Sequence, residues 1–277
     1  YLNADPRGGG QVRLYFVNNV GWYNGSTAGI LSAVSACAKK TVLIARNCHK
    51  AVYHAALIRN LDVYYVYPEI QEEFMLNGGI NPADVERSLE EHPEIEAVVI
   101  TSPTYDGIVS DVKRIAEIAH AHKIPLILDN TTATAYLFQG LKHGADIVVN
   151  SSSKYINGSS NSISGILTYS GRFQWDSEMY PQIAAYKKFG PMAYIARLRN
   201  SLFRDTGACL APMNAYLNLI GMETLGLRME RQCSNALELA QWLEETYPSV
   251  TVNYPGLKSS NWYEIAKKQF SRGYGAI

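Results

Sequence analysis

At 277 residues and 47% apolar content, the chain is long enough to bury a substantial core as one large or two modest domains, which argues against disorder. Lys plus Arg and Asp plus Glu balance at 25 each, so no global field favours nucleic acid or an anionic membrane; small molecules and further copies of the chain are the expected partners. No run of about 18 apolar residues exists to span a bilayer, and the first residues lack a signal peptide's charged and apolar regions.

A helix–strand alternation runs from residue 24 to about 150. Helical composition covers 30–38, an apolar strand 41–45, a helix 50–59 and a strand 63–67. Next come a helix over 82–91, a strand over 97–101, a helix over 111–122 and strands over 125–129 and 144–150. Alternation at this spacing predicts a mainly parallel α/β sheet with right-handed crossovers. Beyond residue 190 the segments 191–203 and 212–227 are apolar with helical period, and 229–247 reads as a long amphipathic helix. Residues 250–254 open a second, smaller domain, and the two apolar helices are expected to leave surface that it does not cover. Cys37, Cys48, Cys209 and Cys233 are far apart without a CxxC pair, so neither a metal site nor a disulfide framework is predicted, and a reducing cytoplasm fits. The chain begins at Tyr1 without methionine and stops at Ile277 in mid-pattern, and is expected to be a fragment at both ends.

Three stretches carry chemistry. Lys154 follows the apolar run 144–150 and the hydroxyls of Ser151, Ser152 and Ser153, where an amine can form a Schiff base. Asp129 ends a second buried-type strand, and two such strands side by side present an acid and an amine at their carboxyl ends, where open α/β sheets bind ligands. The turn Tyr23-Asn24-Gly25-Ser26-Thr27-Ala28-Gly29 feeds hydroxyls and free amides into a helix N-terminus, which suits an anion. Ser151 and Ser153 are expected to serve the same anion. Taken singly, each stretch is an ordinary solvated lysine, turn former or helix cap. Together they meet the needs of pyridoxal phosphate: an amine for the aldehyde, a carboxylate for the pyridine nitrogen and donors for the phosphate.

With these residues in place, the chain resembles the aspartate-aminotransferase-like superfamily of pyridoxal-phosphate enzymes, fold type I. Residues 24–129 resemble the Orn/Lys/Arg decarboxylase family through Asn24-Gly-Ser-Thr-Ala-Gly29, Arg46-Asn-Cys-His-Lys50, Tyr67-Pro-Glu-Ile70 and Thr101-Ser-Pro-Thr-Tyr-Asp-Gly107. Residues 129–277 resemble the Cys/Met-metabolism family, and within it the O-acetylhomoserine sulfhydrylases. The carrying stretches are Asp129-Asn-Thr131, His143-Gly-Ala-Asp-Ile-Val-Val149, Ser151-Ser-Ser-Lys-Tyr155, Arg204-Asp-Thr-Gly207 and Gly221-Met-Glu-Thr-Leu-Gly-Leu-Arg-Met-Glu-Arg231. The chain therefore reads as a hybrid with its seam in the aspartate strand.

The resemblance implies a seven-stranded-type α/β/α large domain over 24–246, a remnant over 1–23 and the start of a small C-terminal domain over 247–277. It implies that Lys154 holds the cofactor and carries the proton transfers. Gly25, Ser26, Thr27, Ser151 and Ser153 would hold its phosphate, Asp129 its ring nitrogen, and His49 and Thr131 its ring faces. The reaction implied is γ-replacement on an amino acid in sulfur metabolism, in a cytoplasmic homodimer or homotetramer. The alternatives are an amino-acid decarboxylase and a cofactor-binding but idle hybrid or fragment, since the family's substrate-carboxylate arginine has no match here. His54, His92, His120, His122 and His143 read as surface or packing residues.

Overall fold

The computed structural model describes residues 20–277, so most of the segment expected as an N-terminal remnant lies outside the described residues. Its last part forms β1 (Val20–Tyr23). The remaining strands are β2 (Thr41–Ala45), β3 (Asp62–Val66), β4 (Ile70–Gln71), β5 (Leu76–Asn77), β6 (Val98–Thr101), β7 (Leu126–Asp129), β8 (Ile147–Asn150) and β9 (Gly165–Tyr169). Seven of them form one sheet in the order β1-β9-β8-β7-β6-β2-β3, and β4 and β5 make a separate two-stranded hairpin. Strands β3, β2, β6, β7 and β8 run parallel, while β9 is antiparallel to both of its neighbours. The fold is therefore the α/β class expected, with a mainly parallel sheet.

Burial explains the strand composition. Every residue of β2, β7 and β8 is buried, as continuous Val, Ile and Leu runs require when helices cover both faces. Edge strand β3 is largely open, and β9 alternates buried with half-buried positions. The crossover helices are α1 (Ser26–Cys37), α2 (Lys50–Arg59), α3 (Pro82–Glu91) and α4 (Val112–Ala121). Asn81 and Asp111 cap α3 and α4 by accepting from the N–H groups of Ala83 and Arg114, both at 3.0 Å, and Pro82 opens α3 where no N–H is needed. Asn60 ends α2 in the left-handed region at φ 51°.

One expectation changes. The apolar segment 191–203 is not spare surface: Ala193, Tyr194, Ile195, Ala196 and Leu198 are buried, and Trp175 stacks on Tyr194 at 5.3 Å between ring centres. The helix Pro212–Glu223 does leave an open apolar face, with Met213, Tyr216, Leu219 and Ile220 exposed. Residues 250–254 are irregular, and the segment that follows touches earlier elements: Gln269 bonds the Val112 N–H (3.1 Å) and the Ser110 carbonyl (2.9 Å), and Phe270 meets Phe138 at 5.8 Å. Among the described residues no helix is long and apolar enough to cross a membrane, and no cluster of metal-ligating side chains occurs.

At the amino ends of β7 and β8, buried Asp146 accepts from the Leu126 N–H (2.9 Å) and pairs with His120 Nε2 (2.8 Å). His120 is thus the partner of a buried carboxylate. That hydrogen bond, reinforced by the carboxylate charge, raises the imidazole above its usual 6.5. A raised folded value gives stability that is complete below about pH 6.5 and is lost as pH rises through the folded value. The thermal midpoint of the unaltered protein should therefore exceed that of His120→Ala most in mild acid, with the gap narrowing above neutrality. A gap independent of pH would exclude the charge contribution.

Candidate active site

Strands β7 and β8 end side by side, with Asp129 in register with Val149. Thr131 joins the two strand ends. It donates its N–H (3.1 Å) and its hydroxyl (2.6 Å) to Asp129 Oδ1, and its hydroxyl oxygen accepts the Ser151 N–H (2.8 Å). The strand-end acid and the serine turn are therefore coupled through one hydroxyl. Both bonds to Asp129 fall on Oδ1, which leaves Oδ2 as the oxygen for a donor from outside the strand.

Asp129 is only 7% exposed. Desolvation raises its pKa above the ordinary carboxylate value, partly offset by the two Thr131 bonds and by the charge of nearby His49. A buried carboxylate in that state gains from a cationic partner. His49 caps α2, where its Nδ1 accepts the Ala51 N–H at 3.2 Å. Cys48, the residue before it, is buried, and desolvation pushes its thiol up to about 12, which leaves no thiolate near neutrality.

Lys154 is exposed on the turn after β8. Its N–H donates to the Ser151 carbonyl (3.2 Å) and its carbonyl accepts the Gly158 N–H (2.8 Å). Ser153 is tied down differently from expectation: its hydroxyl donates to the Ser164 carbonyl (3.0 Å) and accepts the Ser164 N–H (2.9 Å). The hydroxyl of Thr131 is likewise committed, to Asp129.

The turn before α1 reaches the same edge through β9. Gly165 pairs with Tyr23 and sits so close to the turn that an added Cβ would lie 2.4 Å from the Ser26 nitrogen and 2.5 Å from the Gly25 carbonyl carbon. Gly25 itself takes φ 97°, a conformation that favours glycine, and no side chain caps the amides of the first turn of α1. Gly25, Ser26 and Thr27 therefore open a helix N-terminus one strand away from the Ser153–Ser164 contact. Gly165→Ala should cost about 1–3 kcal/mol by forcing β9 off this turn, a loss readable by urea unfolding. An unchanged unfolding midpoint would show that the approach is loose.

Sequence reasoning passed over three residues that shape the site. Gly165 and Ser164 sit in a Gly/Ser-rich stretch that reads as a loop, and Asn218, buried on the helix Pro212–Glu223, accepts from the hydroxyls of Ser162 (3.3 Å) and Ser164 (3.1 Å). Only a polar residue inside an apolar helical stripe signalled Asn218.

Similarity to known proteins agrees with this arrangement. A sulfhydrylase of Fusarium oxysporum f. sp. lycopersici is 43% identical over 186 residues, covering 62% of this chain and 43% of the relative. The homocysteine/cysteine synthase of Saccharomyces cerevisiae is 39% identical over 213 residues, covering 72% and 48%. The chain thus spans less than half the length of these relatives. A solved O-acetylhomoserine sulfhydrylase structure from Wolinella succinogenes superposes with a TM-score of 0.79 at 32% identity, covering 93% of this chain and 70% of that one. The decarboxylase resemblance of residues 24–129 has no counterpart among these relatives. The family pattern that matches, Cys/Met metabolism PLP-dependent enzyme, runs over residues 40–277, across the strand where the sequence suggested a seam, and the chain belongs to that family.

Proposed function

We propose that residues 24–246 are the cofactor-binding large domain of an O-acetylhomoserine sulfhydrylase-like enzyme, which replaces the γ-substituent of an activated homoserine with sulfide. The observation that carries this reading is the coupling of Asp129 to the serine turn through the Thr131 hydroxyl, with Lys154 three residues further along. The donor set fits pyridoxal phosphate: a buried carboxylate oxygen for a ring N–H, an uncapped helix N-terminus for a phosphate and an exposed amine between them. Bound there, the cofactor supplies an aldehyde carbon that joins an amine and a ring that withdraws electrons from the substrate's α carbon.

The chain's own residues do the rest. Asp129 Oδ2 keeps a proton on the ring nitrogen, and the positive charge it faces offsets the desolvation that raises its pKa. The amides of Ser26 and Thr27, with the Ser151 hydroxyl, would hold the phosphate at the positive end of α1. His49, held by the Ala51 N–H at its Nδ1, would cover a ring face. Lys154 Nζ takes the proton from the α carbon and returns protons to neighbouring carbons. In this reading the sulfur nucleophile is the substrate sulfide; burial pushes the thiols of Cys37, Cys48 and Cys233 up. The open apolar face of the helix Pro212–Glu223 supports association into a homodimer or homotetramer.

Protein loaded with pyridoxal phosphate and given O-acetylhomoserine and sulfide should release homocysteine and acetate in equal amounts. Loaded protein that makes no homocysteine would overturn the sulfhydrylase reading and leave an idle cofactor binder. Carbon dioxide and amine released from lysine, ornithine or arginine would favour decarboxylation instead.

A further inference from the structure

Lys154 is exposed, and its turn is held from behind. Arg228, on the helix Leu225–Thr246, donates Nη1 to the Tyr155 carbonyl (2.8 Å) and Nη2 to the carbonyls of Ile156 (3.2 Å) and Gly221 (2.8 Å). Its Nε donates to the Thr224 hydroxyl (3.1 Å). Two of these acceptors are the residues that directly follow Lys154, so the guanidinium fork reads the backbone of the lysine turn itself.

Two glycines make this approach possible. At Gly158, where φ is +76°, an added Cβ would lie 2.3 Å from Arg228 Cζ. At Gly221 it would lie 2.1 Å from the Asn157 carbonyl oxygen. The lysine turn is therefore pressed against the junction of two helices at both points, with no space for a side chain. Among the described ion pairs Arg228 has no carboxylate partner; its donors go to carbonyls and one hydroxyl. A cation placed this way serves backbone geometry.

We propose that Arg228 is a positioning residue that fixes the Tyr155–Ile156 backbone and thereby aims the Lys154 amine at the cofactor. The inference rests on the reading of Lys154 given above. A competing account makes Arg228 a staple between the helices Pro212–Glu223 and Leu225–Thr246 through Gly221 and Thr224 alone. Under that account its loss lowers overall stability and leaves the lysine turn unchanged.

Arg228→Met and Arg228→Lys, prepared as cofactor-loaded protein, separate the two. Amide hydrogen exchange is followed at Asn157 and Gly158, whose N–H groups bond the Ser152 and Lys154 carbonyls, alongside the pH titration of the cofactor's visible band. In Arg228→Met, exchange at these two amides should rise roughly ten- to hundredfold, the consequence of losing a charge-assisted hydrogen bond. The titration midpoint should move and kcat should fall more than KM changes. Arg228→Lys should recover part of each effect, because an ammonium reaches one carbonyl but cannot fork. If Arg228→Met does not fold, Arg228→Lys and Thr224→Val are read in its place. Unchanged exchange at Asn157 and Gly158 with an unchanged titration would overturn the proposal, whatever happens to the thermal midpoint. Cofactor found on another lysine of the unaltered protein would instead defeat the site reading, and the exchange measurement would still decide whether Arg228 holds the turn.

Discussion

Lys154→Ala should abolish turnover while leaving the fold intact. The side chain is exposed, and the hydrogen bonds of the turn at this position come from its backbone N–H and carbonyl, which alanine retains. Surface replacements of this kind usually change stability by no more than about 0.5 kcal/mol, so the unfolding midpoint should hardly move. Activity behaves differently, because proton transfer by a placed side chain is worth roughly 10²–10⁴-fold before the loss of the covalent attachment is added. The visible band of the attached cofactor should vanish, while phosphate-mediated binding at the start of α1 persists. Retained turnover in a correctly folded Lys154→Ala protein would move the catalytic amine elsewhere.

Asp129→Asn should act in opposite directions on the free and the loaded protein. Asparagine keeps an oxygen for the two Thr131 bonds but removes the buried charge. The folded pKa of Asp129 is raised by desolvation, so its contribution to the stability of the free protein is complete below about pH 3.8 and is lost as pH rises through the folded value. At neutral pH the asparagine variant should therefore be the more stable free protein, and the difference should disappear in acid. Each kcal/mol moves the midpoint of a chain this size by about 2–4 °C, which scanning calorimetry resolves. With cofactor the order reverses. Removing one partner of a buried charge pair costs about 3–5 kcal/mol, which weakens binding by on the order of 10²–10⁴-fold. Equal affinity in the two proteins would show that Asp129 does not face the ring nitrogen.

The parallel part of the sheet was legible because its signals are local. The expected ranges 41–45, 50–59 and 82–91 coincide with β2, α2 and α3, since a continuous apolar run, an Asn stop and an Asn-Pro start each declare themselves within a few residues. Strand β9 did not declare itself: it alternates, follows a Gly/Ser-rich stretch and joins the sheet antiparallel without a crossover helix. The hairpin β4–β5 is two residues a side, too short for any periodicity. At the site, Asp129 and Lys154 stood out as a strand-end acid and a post-strand amine. The commitment of Thr131 to Asp129, of Ser153 to Ser164 and of Arg228 to the lysine turn did not. The Arg228 contacts join residues 73 and 72 apart, and hydroxyl partners depend on how β8, β9 and two helices meet. The helix 191–203 was misread because apolar helices look alike whether they face solvent or an aromatic core; Tyr169 and Trp175, which pack on Tyr194, and Tyr180, which packs on Trp175, come from elsewhere in the chain.

The most direct test of the central claim is borohydride reduction of the cofactor-loaded protein, followed by digestion and mass mapping of every lysine-containing peptide. The account predicts one pyridoxyl group per chain, on Lys154 in the peptide that follows β8. A pyridoxyl group on any other lysine, or none on a protein that visibly binds the cofactor, would contradict it.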